Sequence, residues 1–266
     1  MIKISGSMFR NPLLLGILGS IVTAATLLSQ PSAPPINVYD GFEGPSLSNL
    51  WNTISIAPNS VRIQSSIVRA GHGALRIDLH SHDVFLTGRD GDADSERDEL
   101  LEARPLSTRQ NKLYDFSWSM YLPPDFPVVP VRLVVAQWWQ YCPRTDLPCS
   151  NDSPVLAVRY IGGILSITQD LNHRFIVLYQ EKRDLRGKWI DLRFEVRFSP
   201  HPDGQVRAWL RDKLVVDYSG ITANTANTAT GYPDPSYFPF KMGLYRNVMP
   251  QPMTIYLDEY RKRQLP

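Results

Sequence analysis

The sequence predicts an all-β domain folded as a sandwich of the jelly-roll type, and three observations carry that prediction. From Trp189 to Phe198, the apolar residues Ile190, Leu192, Phe194, Val196 and Phe198 alternate with Asp191, Arg193, Glu195 and Arg197. A period of two is the mark of a strand in an antiparallel sheet with one buried face. Similar segments recur along the chain with turn residues between them, the spacing of a sandwich or barrel. No long helical period follows the N-terminal segment.

In chain order, residues 1–28 stand apart. Lys3 and Arg10 precede an apolar run from Pro12 to Leu28, with Thr23, Ala24 and Ala25 near its end. This is the layout of an export signal, and the run is also long enough to be a single membrane anchor. Either reading puts the folded part outside the cytoplasm, secreted or periplasmic, with a membrane tether as the alternative. Residues 29–37 (SQPSAPPIN) read as a linker and 38–266 as the domain. Within it, VRIQSSIVRA, ALRIDLHSHDV, LYDFSWSMYL, VRLVVAQWWQY, VLAVRYI, GILSITQDL and RFIVLYQ have strand character. Cys142 and Cys149 close a short polar loop, CPRTDLPC. In an oxidising compartment two thiols this close form a disulfide, free thiols being the alternative. Residues 189–220 form a meander, turning at PHPDG and again at Arg211-Asp212-Lys213. Residues 221–239 make a long loop, and FKMGLYR and MTIYLDEYR supply the last strands. His72, His173 and His201 fall at turns.

The charges nearly cancel, 28 basic residues against 26 acidic, so the strong basic excess of a nucleic-acid protein is missing. No feature calls for a second copy, and a monomer is expected. Asp90, Asp92 and Asp94 imitate the start of a calcium loop, but Ser95 and Leu101 stand where glycine and glutamate are needed. A calcium site of another design remains an alternative to a solvated turn; no metal or organic cofactor is required. The same stretch approaches the ExDxxE strand of laminarinase-like glycoside hydrolases, with Glu96 and Asp98 in place but Glu102 one residue late. A one-residue slip turns a side chain to the other face of a strand.

Several groups suit an anionic sugar. Arg97 and Glu99 share a strand face, so Glu99 can fix a guanidinium that reaches a substrate carboxylate. Gln137 beside Trp138 and Trp139 forms a plausible sugar surface, with the amide available to a uronate carboxylate. His80 and His82, two apart in a strand, share a face, and one of them suits neutralising a carboxylate. Arg159 with Tyr160, Arg193 with Arg197, and Arg207 with Arg211 offer a row of cations, or simply a mixed-charge surface. In FKMGLYR, Lys241, Gly243 and Tyr245 share one face, and Gly243 leaves room for a sugar ring. Arg246 points the other way, able to bind substrate only from a neighbouring wall.

The pieces YDGFEG, SERDEL, AQWWQY, WIDLRFEVRFSPHPDGQVRAWLRDKLVVDYSG, FKMGLYRN and IYLDEYR occur in an order that resembles the polysaccharide lyase superfamily of heparin lyase I and the fungal glucuronan lyases. The resemblance spans about Tyr39 to Tyr260. It implies a concanavalin-like jelly roll with a concave groove, and β-elimination on uronate-containing polysaccharides. Tyr245 corresponds to the family's catalytic tyrosine and Gln137 to its central-strand glutamine. The resemblance places the catalytic histidine at His82 or His80; the chain departs from the family in having Trp138 and Trp139, not a histidine, after the glutamine. A free tyrosine is neutral at pH 7, so a tyrosine base needs neighbouring cations, and Lys241 is the one on its face. A hydrolase on the same fold and a carbohydrate-binding module are the rival readings.

Overall fold

The computed structural model describes residues 34–54, 57–84, 95–141, 153–225 and 232–266. The export or anchor segment, Cys142 and Cys149, and Asp90, Asp92 and Asp94 lie outside the described residues. From Pro35 onward the chain is one compact unit.

Two antiparallel sheets form the sandwich. The first is ordered β14 (Lys213–Gly220), β13 (Gly204–Leu210), β12 (Trp189–Arg197), β7 (Leu113–Tyr121), β17 (Met253–Gln264), β4 (Ala74–Leu79), β3 (Val61–Gln64). β1 (Asn37–Asp40) pairs with the far end of β17. The second sheet is ordered β11 (Arg174–Lys182), β10 (Ile164–Leu171), β9 (Leu156–Ile161), β8 (Leu133–Trp138), β16 (Phe240–Asn247), β5 (Ser95–Glu102), β2 (Trp51–Ile54). Outside both, β6 (Thr108–Arg109) pairs with β15 (Tyr237–Phe238).

The pairing follows from the sequence pattern. In β12 the alternating apolar residues are buried and their charged neighbours are not. The meander β12–β13–β14 is two consecutive hairpins. Its second turn holds Arg211 and Asp212 at φ 48° and 63°, the left-handed pair that matches the twist of a two-residue hairpin. Between the sheets lies an aromatic core. Trp138 of β8 is fully buried and packs on Phe240 at 4.8 Å, Phe194 at 5.1 Å and Phe116 at 5.2 Å between ring centroids. Trp138 is therefore a core residue, not a sugar contact: alternation that turns Gln137 outward turns its neighbour in.

The sheet assignment corrects a second expectation. Arg193, Arg197 and Arg207 belong to β12 and β13 of the first sheet, and Arg211 to the turn that joins β13 to β14, whereas Tyr245, Gln137, Arg97 and Arg159 belong to the second sheet. Arg193 is held by Asp115 at 3.1 Å and Glu195 at 2.5 Å, and Arg207 by Glu195 at 3.3 Å. A cavity of about 470 Å³ does open beside Arg193. Its cations Arg69, Arg193 and Arg261 are matched there by Asp191, Asp212 and Glu259, which removes the attraction for a polyanion.

Candidate active site

β16 lies inside the second sheet, between β5 and β8. Phe240, Met242 and Leu244 point into the core, which leaves Lys241 and Tyr245 on the outer face. Register then sets their neighbours: Tyr245 stands opposite Arg97 of β5 and Val134 of β8, and Lys241 opposite Leu101 and Gln137. On β5 the alternation sends Glu96, Leu100 and Glu102 inward and Arg97, Glu99 and Leu101 outward.

The Tyr245 ring carries two guanidiniums. Arg97 Cζ lies 4.0 Å from the ring centroid and Arg132 Cζ lies 4.2 Å from it, both within cation–π range. Each cation is itself held. Arg97 Nε is 3.5 Å from Glu99 Oε2, and Arg132 Nε donates to Asn247 Oδ1 at 2.7 Å. Glu99, wholly buried at the floor, also accepts from Gln137 Nε2 at 2.6 Å. Arg159 of β9 stands opposite Val134 and donates to Thr168 Oγ1 at 3.0 Å. Burial, and then the like charge of Arg132, hold the Arg159 guanidinium below its ordinary value, while Asp170 and Tyr245 act the other way. Lys241 Nζ lies 5.7 Å from the ring of Trp139. The face thus gathers Arg97, Arg132, Arg159 and Lys241 around one tyrosine, with Glu99 as the carboxylate between β5 and β8.

The family model described as polysaccharide lyase matches residues 41–261. The chain belongs to this family.

Among solved structures, this lyase is similar to the endo-β-1,4-glucuronan lyase of the fungus Trichoderma reesei, with a TM-score of 0.65 and 17% identity over 86% of this chain and 95% of that one. It is similar to alginate lyase Aly36B, with a TM-score of 0.53 and 12% identity over 88% and 98%. It is also similar to the cellulose-induced protein Cip1, with a TM-score of 0.55 and 12% identity over 85% and 96%. At these identities the likeness is one of fold. No curated protein sequence matches the lyase.

Of the residues picked from sequence, Tyr245, Gln137, Arg97, Arg159, Lys241 and Trp139 come together on this face. Others do not. Arg246 is fully buried and ion-paired with Glu96 at 2.7 Å, and its Nη1 donates to the Gln251 carbonyl at 2.6 Å. It fixes the connection from β16 to β17 and is out of reach of a substrate. β4 ends at Leu79, so His80 and His82 lie in a turn and share no strand face. His80 pairs with Asp83 at 3.2 Å. The backbone N–H of His82 donates to Glu96 at 2.6 Å, and the N–H of Arg97 donates to the Asp83 carbonyl at 3.1 Å. That turn therefore docks on the edge of β5, one strand removed from Tyr245.

Gly243 also has a different reason. Its φ is 146°, and a Cβ there would stand 2.5 Å from the Asp98 carbonyl oxygen and 3.1 Å from Ile77 Cδ1. The missing side chain makes room for β5 and β4, not for a sugar. Sequence reading missed Arg132. Counting back from Gln137, strict alternation places it on the opposite face. A register shift between Val134 and Ala136 inserts one residue, the effect of a β-bulge, and brings Arg132 round to Tyr245.

Proposed function

We propose that this lyase cleaves a uronate-containing anionic polysaccharide by β-elimination, leaving a 4,5-unsaturated uronate at the new non-reducing end. The observation that carries this reading is the Tyr245 ring lying against the guanidiniums of both Arg97 and Arg132. Elimination begins with loss of the C5 proton of a uronate, which throws negative charge onto the carboxylate. Preorganised cations where charge develops are the main source of rate in such sites. Arg97, Arg132 and Arg159 supply them, and Glu99 keeps Arg97 in place. Gln137 spends one N–H on Glu99 and has a second for the carboxylate. Tyr245, beside the two guanidiniums, is the base that takes the C5 proton. The electron pair of the C5–H bond forms the C4–C5 double bond. The C4–O4 bond breaks, and the Tyr245 hydroxyl returns its proton to the departing O4. Base and acid are one residue, so both events occur on the same side of the ring.

A protein of similar fold supports the same reading: a variant of alginate lyase Aly36B is seen in complex with an alginate trisaccharide. A retaining hydrolase needs two carboxylates facing the cleft about 5–5.5 Å apart. On β5 only Glu99 faces outward, while Glu96 and Glu102 are committed to Arg246 and Lys262 inside. The apolar N-terminal run supports an extracytoplasmic enzyme.

The test is ultraviolet absorbance during digestion of a panel of uronate polymers, since the unsaturated product absorbs and the polymer does not. Tyr245→Phe is expected to abolish the signal while binding persists. An unchanged rate in that variant overturns the mechanism.

A further inference from the structure

A second cationic feature lies at the far end of β16, and nothing in the elimination chemistry uses it. Residues 104–112 and 235–237 enclose a cavity of about 480 Å³ lined by Arg104, Arg109, Lys112, Gln110, Ser236 and Tyr237, among others. All three cations are exposed. Among the described residues no carboxylate belongs to the lining, and none forms an ion pair with them. Asp234, outside the lining, accepts from Gln110 Nε2 at 3.3 Å.

The cavity connects to the catalytic face through an unbroken run of ring contacts. Lys241 Nζ sits 5.7 Å from Trp139. Trp139 meets Tyr141 edge-on at 6.5 Å, and Tyr141 stacks on Tyr237 at 4.3 Å. Arg104 Cζ is 5.8 Å from the Tyr141 ring and 5.7 Å from that of Tyr237. The backbone sustains this ladder: Trp139 N–H donates to the Pro239 carbonyl at 3.2 Å and Tyr141 N–H to the Tyr237 carbonyl at 2.9 Å. Eight residues separate Tyr245 from Tyr237, roughly 25 Å at strand rise, a span only a chain of several sugars bridges.

We infer that the Arg104–Arg109–Lys112 cavity is a distal subsite that holds carboxylate-bearing sugars of the same polymer whose cleavage occurs at Tyr245. The inference rests on the proposed function for the identity of the polymer, and on the cluster of three exposed cations in the lining for the binding. Its consequence is length selectivity: a long polyuronate engages both regions, and a short oligosaccharide reaches one.

The test uses the Arg104→Ala/Arg109→Ala/Lys112→Ala variant of the full chain, with circular dichroism to check the fold and Arg109→Glu as a second variant. In the Tyr245→Phe background, electrophoresis through gels containing polyglucuronate or polymannuronate reads binding without turnover. Losing three exposed charge pairs is expected to weaken retardation about tenfold, with no change in a neutral β-glucan gel. In the active background, KM for the polymer rises by the same factor while kcat/KM on a uronate tetrasaccharide holds. A triple variant retarded as strongly as its parent overturns the inference, and so does an equal loss on polymer and tetrasaccharide. Gel binding that depends on the three cations, in a protein that eliminates none of the polymers, retains the subsite and rejects the proposed reaction.

Discussion

Arg132 shows how much one side chain adds to a site. Its guanidinium covers Tyr245, repels Arg159 and donates to Asn247. Arg132→Met keeps the length of the side chain and removes the charge. Loss of one preorganised charge contact at a reacting group costs about 10²–10³ in rate. The variant is expected to lose kcat by about that factor with a Tm near that of the wild type, as stopped-flow ultraviolet traces and thermal melts would show. Equal kcat would remove Arg132 from the chemistry. The residue-level reading from sequence succeeded where parity held. Lys241 and Tyr245 are four apart and do share a face. It failed for Arg132, which a bulge brings round, whereas plain alternation already turns Trp138 and Arg246 toward the core.

At the scale of strands, the half-buried rim of the first sheet is organised by one carboxylate. Arg62 of β3 and Arg76 of β4 stand directly opposite each other, an arrangement that is repulsive by itself. Asp78 resolves it, accepting from Arg62 at 2.6 Å, from Arg76 Nε at 2.9 Å and from Thr254 of β17 at 2.6 Å. Burial opposes ionisation of Asp78, but the hydrogen bonds from Arg76, Thr254 and Arg62 outweigh it and hold the carboxyl below its ordinary value. A depressed carboxyl contributes stability that is complete above the ordinary carboxylate value and is lost as pH falls through the folded value. Asp78→Asn is therefore expected to cost about 1–3 kcal/mol at neutral pH. The gap to wild type should persist down to about pH 4 and close below it. Urea melts over a pH series check this, and a gap that does not change with pH sinks it. Sequence showed these strands and their alternation, as it showed the β12–β13–β14 meander. It did not show that β4 pairs with β17, whose partner residues lie far along the chain (Ile77 with Ile255), because pairing across the chain leaves no local period to read.

Across the whole molecule, the two sheets are tied by charge as well as by aromatic packing. Glu102 of β5 accepts from Lys262 of β17 at 2.9 Å and from the Tyr260 hydroxyl, with all three side chains buried. Lys262 also donates to the Leu106 carbonyl, at the root of the cationic cavity. Burial pushes Glu102 up and Lys262 down, each toward its neutral form, and their mutual attraction opposes both shifts. Desolvation of two ions offsets most of that attraction, so the pair adds little net stability, yet removing one partner strands the other. Lys262→Met is thus expected to destabilise the fold by about 3–5 kcal/mol. Lys262→Met combined with Glu102→Leu should recover most of that loss, although the Tyr260 hydroxyl then lacks its acceptor and keeps the recovery incomplete. Guanidinium melts of the two singles and the double form the cycle. Additive losses would mean that Glu102 and Lys262 act separately. A double variant more stable than Lys262→Met alone would establish that their role is to match one another across the sandwich, fixing the sheet that carries Tyr245 over the sheet that carries Lys262.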